Sequence, residues 1–418
     1  MELLQFLTND QVRILQQDFG TPVFVYDEAT LERQAREVLR FPYAHSLTAR
    51  FAMKALPTGA ILRLLHGLGL HIDASSGFEV ERAMKAGIPP EHIQLTAQEL
   101  PGNLVELVTA GIQFNACSLR QLAVFGENFS GSSLGVRMNP GLGSGHNNRT
   151  NVGGPSSSFG IWHEYVPDIL DLCRRHDLHV TRVHTHIGSG GDPQVWMRCA
   201  RLSLDVAAQF PEVTTLNLGG GFKVARMPGE VSADLREIGA VVSGILEEYA
   251  DTHGKRLNLE IEPGTFIVAN AGVLVAGVMD VVHTGEDGYK FIKLDAGMTD
   301  VLRPAIYGAQ HPITLVPAVE EERPPEEYLV VGHCCESGDV LTPEPGNPEG
   351  LYPRTLITAR VGDALVIGGA GAYCSAMCCK NYNSFPESAE VLLKKNGEMQ
   401  LIRKRQTLEH MLANELLA

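Results

Sequence analysis

A lysine interrupts an apolar stretch near the start of the chain, in the segment RFAMKAL (residues 50–56). An amine that apolar neighbours desolvate has a lowered pKa and can form a Schiff base with an aldehyde. Other groups capable of chemistry follow short β-rich runs later in the chain: His184 and His186 in VHTHIGSG, glycines 219–221 in NLGGGF, and Glu262 in IEPG. With Lys54 they supply an amine, imidazoles, a carboxylate and a glycine loop.

Pyridoxal phosphate is a cofactor that uses all of these groups. Its aldehyde reacts with a lysine, and its phosphate needs backbone N–H donors such as the glycine loop and Gly188-Ser189 provide. A carboxylate at Glu262 could pair with the pyridine nitrogen and keep it protonated, which makes the ring an electron sink. His186 could stack on the face of the ring.

Each of these residues also has a simpler interpretation, because lysines often cap strand ends and strand histidines are often core residues. A divalent-metal site of His184, His186 and Glu262 is a rival hypothesis, since His-x-His is a known ligand spacing. It leaves Lys54 and the glycines without a role. The cysteines lack the repeated spacing of a zinc site, so we expect no metal.

The elements that position these residues can be counted. Short β-rich runs alternate with segments of helical spacing, such as Leu235, Ile238, Val242, Ile245 and Tyr249. The runs are TARFAMKAL, LHIDASS, IQLTAQ, IQFNACS, LGVRMN, VTRVHTHIG, TTLNLGGG and LNLEIEPG. Eight such units predict an α/β fold that closes as a (β/α)8 TIM barrel. A doubly wound open sheet is the alternative, but no G-x-G-x-x-G opens the first helix.

Polar residues fall at the predicted carboxyl ends of these strands, where catalytic residues of such barrels cluster. They are Lys54, Asp73 and Ser75, Arg137 and Asn139, His184, His186 and Ser189, glycines 219–221, and Glu262. We therefore expect them on one rim of the barrel. The loop at residues 139–160 is long and rich in glycine and serine, which is typical of a functional loop or a flexible insertion.

After about residue 270 the sequence becomes Val/Ile-rich, with turns of Gly, Pro and Asp, and predicts an all-β C-terminal domain. The early segment TPVFVYD (21–27) is also strand-like and is expected to pair into it. The predicted domains are therefore a cofactor-binding barrel over 28–270 and a β domain formed by 1–27 and 271–418.

Charge and composition narrow the classes of partner. The chain has 34 Lys plus Arg against 49 Asp plus Glu, a net charge of −15, which disfavours nucleic acid and anionic membranes. A small-molecule substrate is expected. The N-terminus lacks a basic segment followed by an apolar run, and the eight cysteines do not fit a secreted disulfide framework, so we expect a cytoplasmic protein with reduced thiols.

The ordered motifs FGTPVFVYD, FAMKA, HTHIGSG, NLGGGF, EPG, LRPAIYGAQH, CCESGDVL and GAYCSAMCCKNYNS, with the closing LIRKRQTLEHMLANELL, cover nearly the whole chain. They resemble the group III pyridoxal-phosphate decarboxylases, whose fold is that of alanine racemase, and within them the diaminopimelate decarboxylase family. The resemblance implies a homodimer with a composite active site.

The resemblance also implies a role for each matched residue. Lys54 is similar to the Schiff-base lysine, His186 to the residue stacked on the cofactor, and Glu262 to the partner of its ring nitrogen. Further expected cofactor contacts are Asp73, Ser189, Gly220, Gly221, Gly264 and Tyr373. Expected substrate contacts are Arg303, Tyr307, Glu336 and Tyr373, while Cys335, inserted with Glu336 from the other subunit, is the expected proton donor.

Two positions depart from the family pattern. The family usually reads EPGR where this chain has Thr265, and a hydroxyl cannot replace a bidentate guanidinium. Arg137 and Arg149 are candidates for a compensating cation. The family usually reads GAYG where this chain has Cys374.

The implied reaction is decarboxylation of meso-2,6-diaminopimelate to L-lysine and CO2, the last step of lysine biosynthesis. Alternatives within the fold are decarboxylation of ornithine, lysine or a carrier-linked amino acid. A racemase is less favoured, because racemases of this fold place an arginine at the pyridine nitrogen. A non-catalytic regulatory homologue is a further alternative, although such a protein would be expected to lack the lysine or the cysteine.

Overall fold

The computed structural model describes residues 4–142, 153–186 and 190–416. Within it the chain divides into two compact units. The barrel unit comprises Glu32–Val224 and Val231–Ile267, and the β unit comprises Met1–Leu31, Ala225–Glu230 and Val268–Ala418. The short segment Ala225–Glu230 therefore leaves the barrel unit and rejoins the β unit.

The strands are, in chain order, β1 Val23–Asp27, β2 Ser46–Ala52, β3 His71–Ala74, β4 Ile93–Leu95, β5 Gln113–Ala116, β6 Ser133–Asn139, β7 Ile161–Trp162, β8 His179–His184, β9 Thr215–Asn217, β10 Asn258–Ile261, β11 Gly272–His283, β12 Lys290–Leu294, β13 Ile313–Val316, β14 Pro325–Val331, β15 Pro343–Glu344, β16 Asn347–Leu351, β17 Arg354–Ile357, β18 Ala364–Ile367, β19 Ala389–Leu393 and β20 Met399–Arg403.

The α-helices are α1 Asn9–Phe19, α2 Glu28–Val38, α3 Gly59–Gly67, α4 Gly77–Lys85, α5 Leu104–Thr109, α6 Leu119–Asn128, α7 Val166–His176, α8 Pro193–Ala207, α9 Leu235–His253, α10 Thr265–Val268, α11 Arg303–Tyr307 and α12 Leu408–Leu412. Short 3₁₀ turns occur at Met53–Ala55, Pro90–His92, His163–Tyr165, Ala269–Ala271 and Tyr382–Ser384.

Eight parallel strands close into a barrel in the order β2, β3, β4, β5, β6, β8, β9 and β10, and β10 pairs with β2 to complete the ring. The added strand β7 pairs only with β6 at the edge. These are the eight strands predicted from the alternation of β-rich and helical segments, and the (β/α)8 fold is confirmed. The predicted helical stripe is also present, because the apolar residues of α9 that repeat at helical spacing are buried.

Side chains from opposite strands meet inside this barrel, so they must point into its interior. Glu260 of β10 lies 2.8 Å from Nη2 of Arg50 on β2 and 2.9 Å from Nε of Arg182 on β8. The amide oxygen of Gln113, on β5, accepts hydrogen bonds from both arginines. The interior of such a barrel is usually filled with branched apolar residues, whereas this one is built around an ion-pair network.

The β unit is organised around β1, which lies between antiparallel β11 and parallel β19. The segment TPVFVYD thus pairs as predicted. Its sheet runs in the order β17, β14, β12, β11, β1, β19 and β20, with β18 pairing to β11 and β13. One face buries an apolar core that includes Val12, Leu15, Val23, Val25, Val273, Val275, Val366 and Val391.

Two further observations concern the whole described chain. Its helices include none that is both long and apolar enough to cross a membrane. All eight cysteines are free thiols.

Removing Glu260 tests the ion-pair network. Glu260→Ala leaves Arg50, which is 1 % exposed, buried without its carboxylate, and breaking a buried pair in this way costs about 3–5 kcal/mol of unfolding free energy. The measurement is urea unfolding followed by tryptophan fluorescence. Both tryptophans, Trp162 and Trp196, belong to the barrel unit, so the signal reports that unit.

The matched control is Glu248→Ala, which breaks the pair with Arg201 on the barrel unit's surface, where both side chains are more than half exposed. We expect a change of about 0.5 kcal/mol or less. Equal unfolding midpoints for the two variants would show that the interior network does not stabilise the barrel.

Candidate active site

Lys54 lies at the carboxyl rim of the barrel, in the 3₁₀ turn that directly follows β2. Its Nζ is 4.0 Å from Oδ2 of Asp73, at the end of β3. The backbone fixes this turn against the last barrel strand, because the Ala52 N–H donates to the carbonyl of Pro263 at 3.3 Å. A Cβ on Gly264 would lie 3.2 Å from the Ala52 oxygen, so glycine at 264 permits that close approach.

The surroundings of Lys54 differ from the prediction. Met53 and Ala55 are buried, but the Lys54 side chain is 41 % exposed and faces a carboxylate. The prediction that apolar neighbours desolvate its amine is therefore wrong for this structure. The 3₁₀ turn is the reason, because it rotates Lys54 away from the apolar face that a continued strand would give it.

Glu262 is held inside the rim by two amide donors. Its Oε1 accepts from Nε2 of Gln94 at 2.6 Å and from Nδ2 of Asn217 at 2.7 Å. Asn217 also donates to Glu260 at 3.1 Å. The rim carboxylate Glu262 is thus connected through the Asn217 amide to the ion-pair network inside the barrel.

The two rim carboxylates have opposite pKa shifts. Burial opposes ionisation of Glu262, but the charges of His184 and Lys54 outweigh it and hold its pKa well below the usual range. The amide donors of Gln94 and Asn217 also favour the ionised form of Glu262. Burial, followed by the charge of Glu262, raises the pKa of Asp73 well above its usual value.

Burial lowers the pKa of both rim histidines. Nε2 of His184 lies 3.2 Å from Oε2 of Glu262, and this carboxylate opposes the effect of burial on the His184 pKa. Burial, then Arg137 and Lys54, lowers the pKa of His186 far below its usual value. Nδ1 of His186 accepts the Gly220 N–H at 3.2 Å, which places its proton on Nε2.

Glycines 219–221 are required by close packing. A Cβ at Gly219 would lie 2.6 Å from Nδ1 of His186, and one at Gly220 would lie 2.2 Å from the Glu262 carbonyl oxygen. Gly221 has a φ of 106°, and its carbonyl accepts the Gly190 N–H at 2.9 Å. The Gly220 N–H is engaged by His186, and the phosphate contacts expected at Gly220 and Gly221 stay predictions.

Other predicted residues of the rim have defined surroundings or lie outside the described residues. Ser189 and Arg149 belong to the latter group. Arg137 stacks over the ring of Phe159 at 4.9 Å from its centroid. Asn139 organises the described part of the 139–160 loop, since its Oδ1 accepts the N–H groups of Gly141 and Gly154.

The predicted residues of the β unit fall into two groups. Arg303 and Tyr307 are the first and last residues of α11, with the guanidinium 6.0 Å from the centroid of the tyrosine ring. Tyr373 has a φ of 55°, a strained left-handed conformation that is typical of functional sites in residues other than glycine. Cys374 beside it is buried, so its departure from the family glycine is accommodated in the core.

Cys335 and Glu336 lie on an exposed loop of the β unit. The Cys335 N–H donates to Oδ1 of Asn383 at 2.9 Å, and buried Asp339 accepts the N–H groups of Cys334 and Met298. A buried aspartate holds the base of the loop while its tip stays accessible.

Arg226 is a candidate that the sequence did not single out. It follows the glycine loop in NLGGGFKVAR, on the segment that rejoins the β unit, and its Nε donates to the Gly369 carbonyl at 3.1 Å. Its place in the sequence could have indicated it, because it lies five residues after the glycine loop that was already a candidate for cofactor binding.

The residues on the rim fit pyridoxal phosphate better than a metal. Lys54 offers an accessible amine, Glu262 a stable anion, and Asp73 a buried Oδ1 with no hydrogen-bond partner among the described residues. In the same part of the chain no group of three or more His, Cys, Asp or Glu side chains is arranged to hold a metal ion. The His184, His186 and Glu262 hypothesis is therefore not supported by the geometry of the described residues.

Comparisons with known proteins agree with this chemistry. The family described as "Pyridoxal-dependent decarboxylase, pyridoxal binding domain" matches residues 28–269. The chain is 37% identical to the diaminopimelate decarboxylase of Escherichia coli K12, over 98% of this chain and 97% of that protein. It is also 37% identical to the diaminopimelate decarboxylase of Streptomyces coelicolor, over 96% of this chain and 90% of that one.

Solved structures show the same fold. A crystal structure of a diaminopimelate decarboxylase superposes with a TM-score of 0.91 at 37% identity, covering 98% of this chain and 97% of that one. The Helicobacter pylori diaminopimelate decarboxylase complexed with L-lysine gives 0.83 at 26% identity, covering 96% of this chain and 98% of that one. The chain belongs to the pyridoxal-dependent decarboxylase family, and within it to the diaminopimelate decarboxylases.

Proposed function

We propose that this protein is a pyridoxal-phosphate-dependent decarboxylase that converts meso-2,6-diaminopimelate to L-lysine and CO2. One observation carries the proposal: an accessible Lys54 amine and a firmly anionic Glu262 lie at the ends of neighbouring barrel strands. The full-length similarity to diaminopimelate decarboxylases supports the choice of substrate.

Pyridoxal phosphate, when bound, supplies an electron sink that accepts the electron pair left behind as CO2 departs. Lys54 would hold its aldehyde carbon, and Glu262 would keep its pyridine nitrogen protonated. His186, neutral and fixed by the Gly220 N–H, would lie against the ring face without adding charge. Asp73, Ser189, Gly220, Gly221, Gly264 and Tyr373 are the remaining residues proposed to position the cofactor.

The substrate's other end needs different groups, because diaminopimelate carries a second ammonium and a second carboxylate. Arg303 would bind that carboxylate, with Tyr307 and Tyr373 beside it, and Glu336 would bind the ammonium. Cys335 would deliver a proton to the carbon that loses CO2.

We further propose that the protein acts as a homodimer in which Cys335 and Glu336 serve the partner's site. The exposed tip of their loop supports this arrangement, since a thiol and a carboxylate that serve their own subunit would not need to be presented to solvent. A cytoplasmic location remains part of the proposal and rests on the cysteine pattern.

A substrate panel tests the reaction. Released CO2 is measured with meso-diaminopimelate, L-lysine and L-ornithine, with and without added pyridoxal phosphate. We expect release that needs the cofactor and is at least about 100-fold faster with diaminopimelate, because only this substrate satisfies both ends of the site.

The control variant is Lys54→Ala, which should lower the diaminopimelate rate by at least about 1000-fold, while Lys85→Ala on helix α4 should leave it unchanged. Faster CO2 release from ornithine or lysine would contradict the proposed substrate and would indicate another decarboxylase of the same fold. A wild-type rate from Lys54→Ala would disprove the assigned chemistry.

Mixing two inactive variants tests the composite dimer. Lys54→Ala and Cys335→Ser should each be nearly inactive, yet coexpression should restore about one quarter of wild-type activity, because half of the dimers carry one intact site. Cys334→Ser is the matched control and should be active alone. Activity no greater than that of the separate variants would contradict sharing of Cys335 between subunits.

A further inference from the structure

Two arginines of the β unit, Arg226 and Arg303, lie near enough to each other that the charge of Arg303 lowers the pKa of Arg226. Neither forms an ion pair with any Asp or Glu of the described residues, in contrast to Arg323 of the same unit, whose guanidinium pairs with Asp363 at 2.5 Å. Buried or half-buried guanidiniums are normally paired, because an unpaired charge loses its hydration without compensation.

One N–H group of Arg226 is hydrogen-bonded within the described structure and another is not. Its Nε donates to the Gly369 carbonyl, and a Cβ at Gly369 would lie 3.0 Å from its side-chain carbons, so glycine there makes room for it. Its Nη2 is buried and has no hydrogen-bond partner among the described residues. The nearest carboxylate along the segment, Glu230, accepts the backbone N–H groups of Arg226 and Met227.

Arg303 also has a hydrogen-bond donor that no described residue uses. It begins α11, and its Nε is buried without a partner in the described part of the chain. The guanidinium lies beside the ring of Tyr307, which orients it without neutralising it. Each arginine therefore has at least one buried N–H donor without a hydrogen-bond partner among the described residues.

The electrostatics of the cluster describe an anion site. Burial, followed by the charge of Arg303, lowers the pKa of Arg226 to about 9, while the Glu230 carboxylate acts in the opposite direction. His311 is neutral, since its Nδ1 donates to the Gly368 carbonyl and burial lowers its pKa. Burial raises the pKa of the Cys374 thiol to about 11, so it supplies no anion either.

We propose that Arg226 joins Arg303 in binding an oxyanion through the N–H donors that both leave unused. This inference rests on the proposed function, which offers two such groups: the carboxylate that diaminopimelate retains after reaction, and the phosphate of the cofactor. Two guanidiniums bracket either group with charge-assisted hydrogen bonds. Arg226 is thereby assigned a binding role.

The test compares ligands that differ by a single carboxylate. Equilibrium binding of L-lysine and of cadaverine, which is lysine without its carboxylate, is measured by calorimetry on holoprotein of the wild type and Arg226→Gln. Pyridoxal phosphate binding is measured separately on the apoprotein. A carboxylate contact predicts that Arg226→Gln weakens L-lysine about 10- to 100-fold and cadaverine less than about 2-fold.

Control variants separate binding from folding. Arg226→Lys keeps the charge but not the planar fork, so its loss should be intermediate. Arg323→Gln removes a buried arginine of the same unit that has its own carboxylate, and should lower thermal stability without changing the preference for lysine over cadaverine.

The outcomes are distinguishable from one another. Loss of the lysine preference in Arg226→Gln supports the carboxylate, and weaker binding of pyridoxal phosphate alone supports the phosphate. If Arg226→Gln binds lysine, cadaverine and pyridoxal phosphate as the wild type does, the inference is overturned. A protein that fails to decarboxylate diaminopimelate but shows the Arg226-dependent binding would refute the proposed function and leave this inference standing.

Discussion

The barrel of this protein depends on a carboxylate, Glu260, held between two arginines at its centre. A charged group in that position is stable only when its partners are fixed, and Arg50 and Arg182 come from strands on either side of β10. Asn217 donates to Glu260 and to Glu262 two residues further along the same strand. The buried ion pair and the rim carboxylate Glu262 are therefore parts of one hydrogen-bonded column.

This column has a consequence for the chemistry of the rim. Gln94 and Asn217 both donate to Glu262, and these hydrogen bonds favour the anion that its proposed role beside a protonated ring nitrogen requires. Asp73, close to Lys54 but with an unsatisfied oxygen, has its pKa shifted in the opposite direction. The two carboxylates of this rim thus have pKa values shifted in opposite directions, a pattern common in active sites.

Much of the fold was predictable from the sequence, because parallel strands separated by helices give a strong alternation. The positions of Lys54, Asp73, His186 and Glu262 at or just beyond the ends of barrel strands were also predictable, since polar residues within buried strands are otherwise costly. The exposure of Lys54 was not predictable, because it depends on a 3₁₀ turn that the apolar residues around Lys54 do not indicate.

The interior network was likewise hidden from the sequence. Its hydrogen bonds join residues far apart in the chain, such as Gln94 and Glu262, and only barrel closure brings them together. Arg226 was missed for a related reason, since its segment leaves one unit and joins the other within a few residues. Sequence motifs identify candidate residues that lie close together in the chain. Whether a charged side chain has a partner depends on residues that only folding brings together.

The anionic state of Glu262 is the central claim, and carbon-13 NMR of the glutamate side-chain carboxyls tests it directly. The Glu262 signal is assigned by its disappearance in Glu262→Gln and followed as the pH is lowered. Because its pKa lies well below the usual glutamate value, we expect the chemical shift of an ionised carboxylate at about pH 5 and below. A Glu262 carboxyl that takes up a proton at or above the ordinary glutamate pKa would contradict the account.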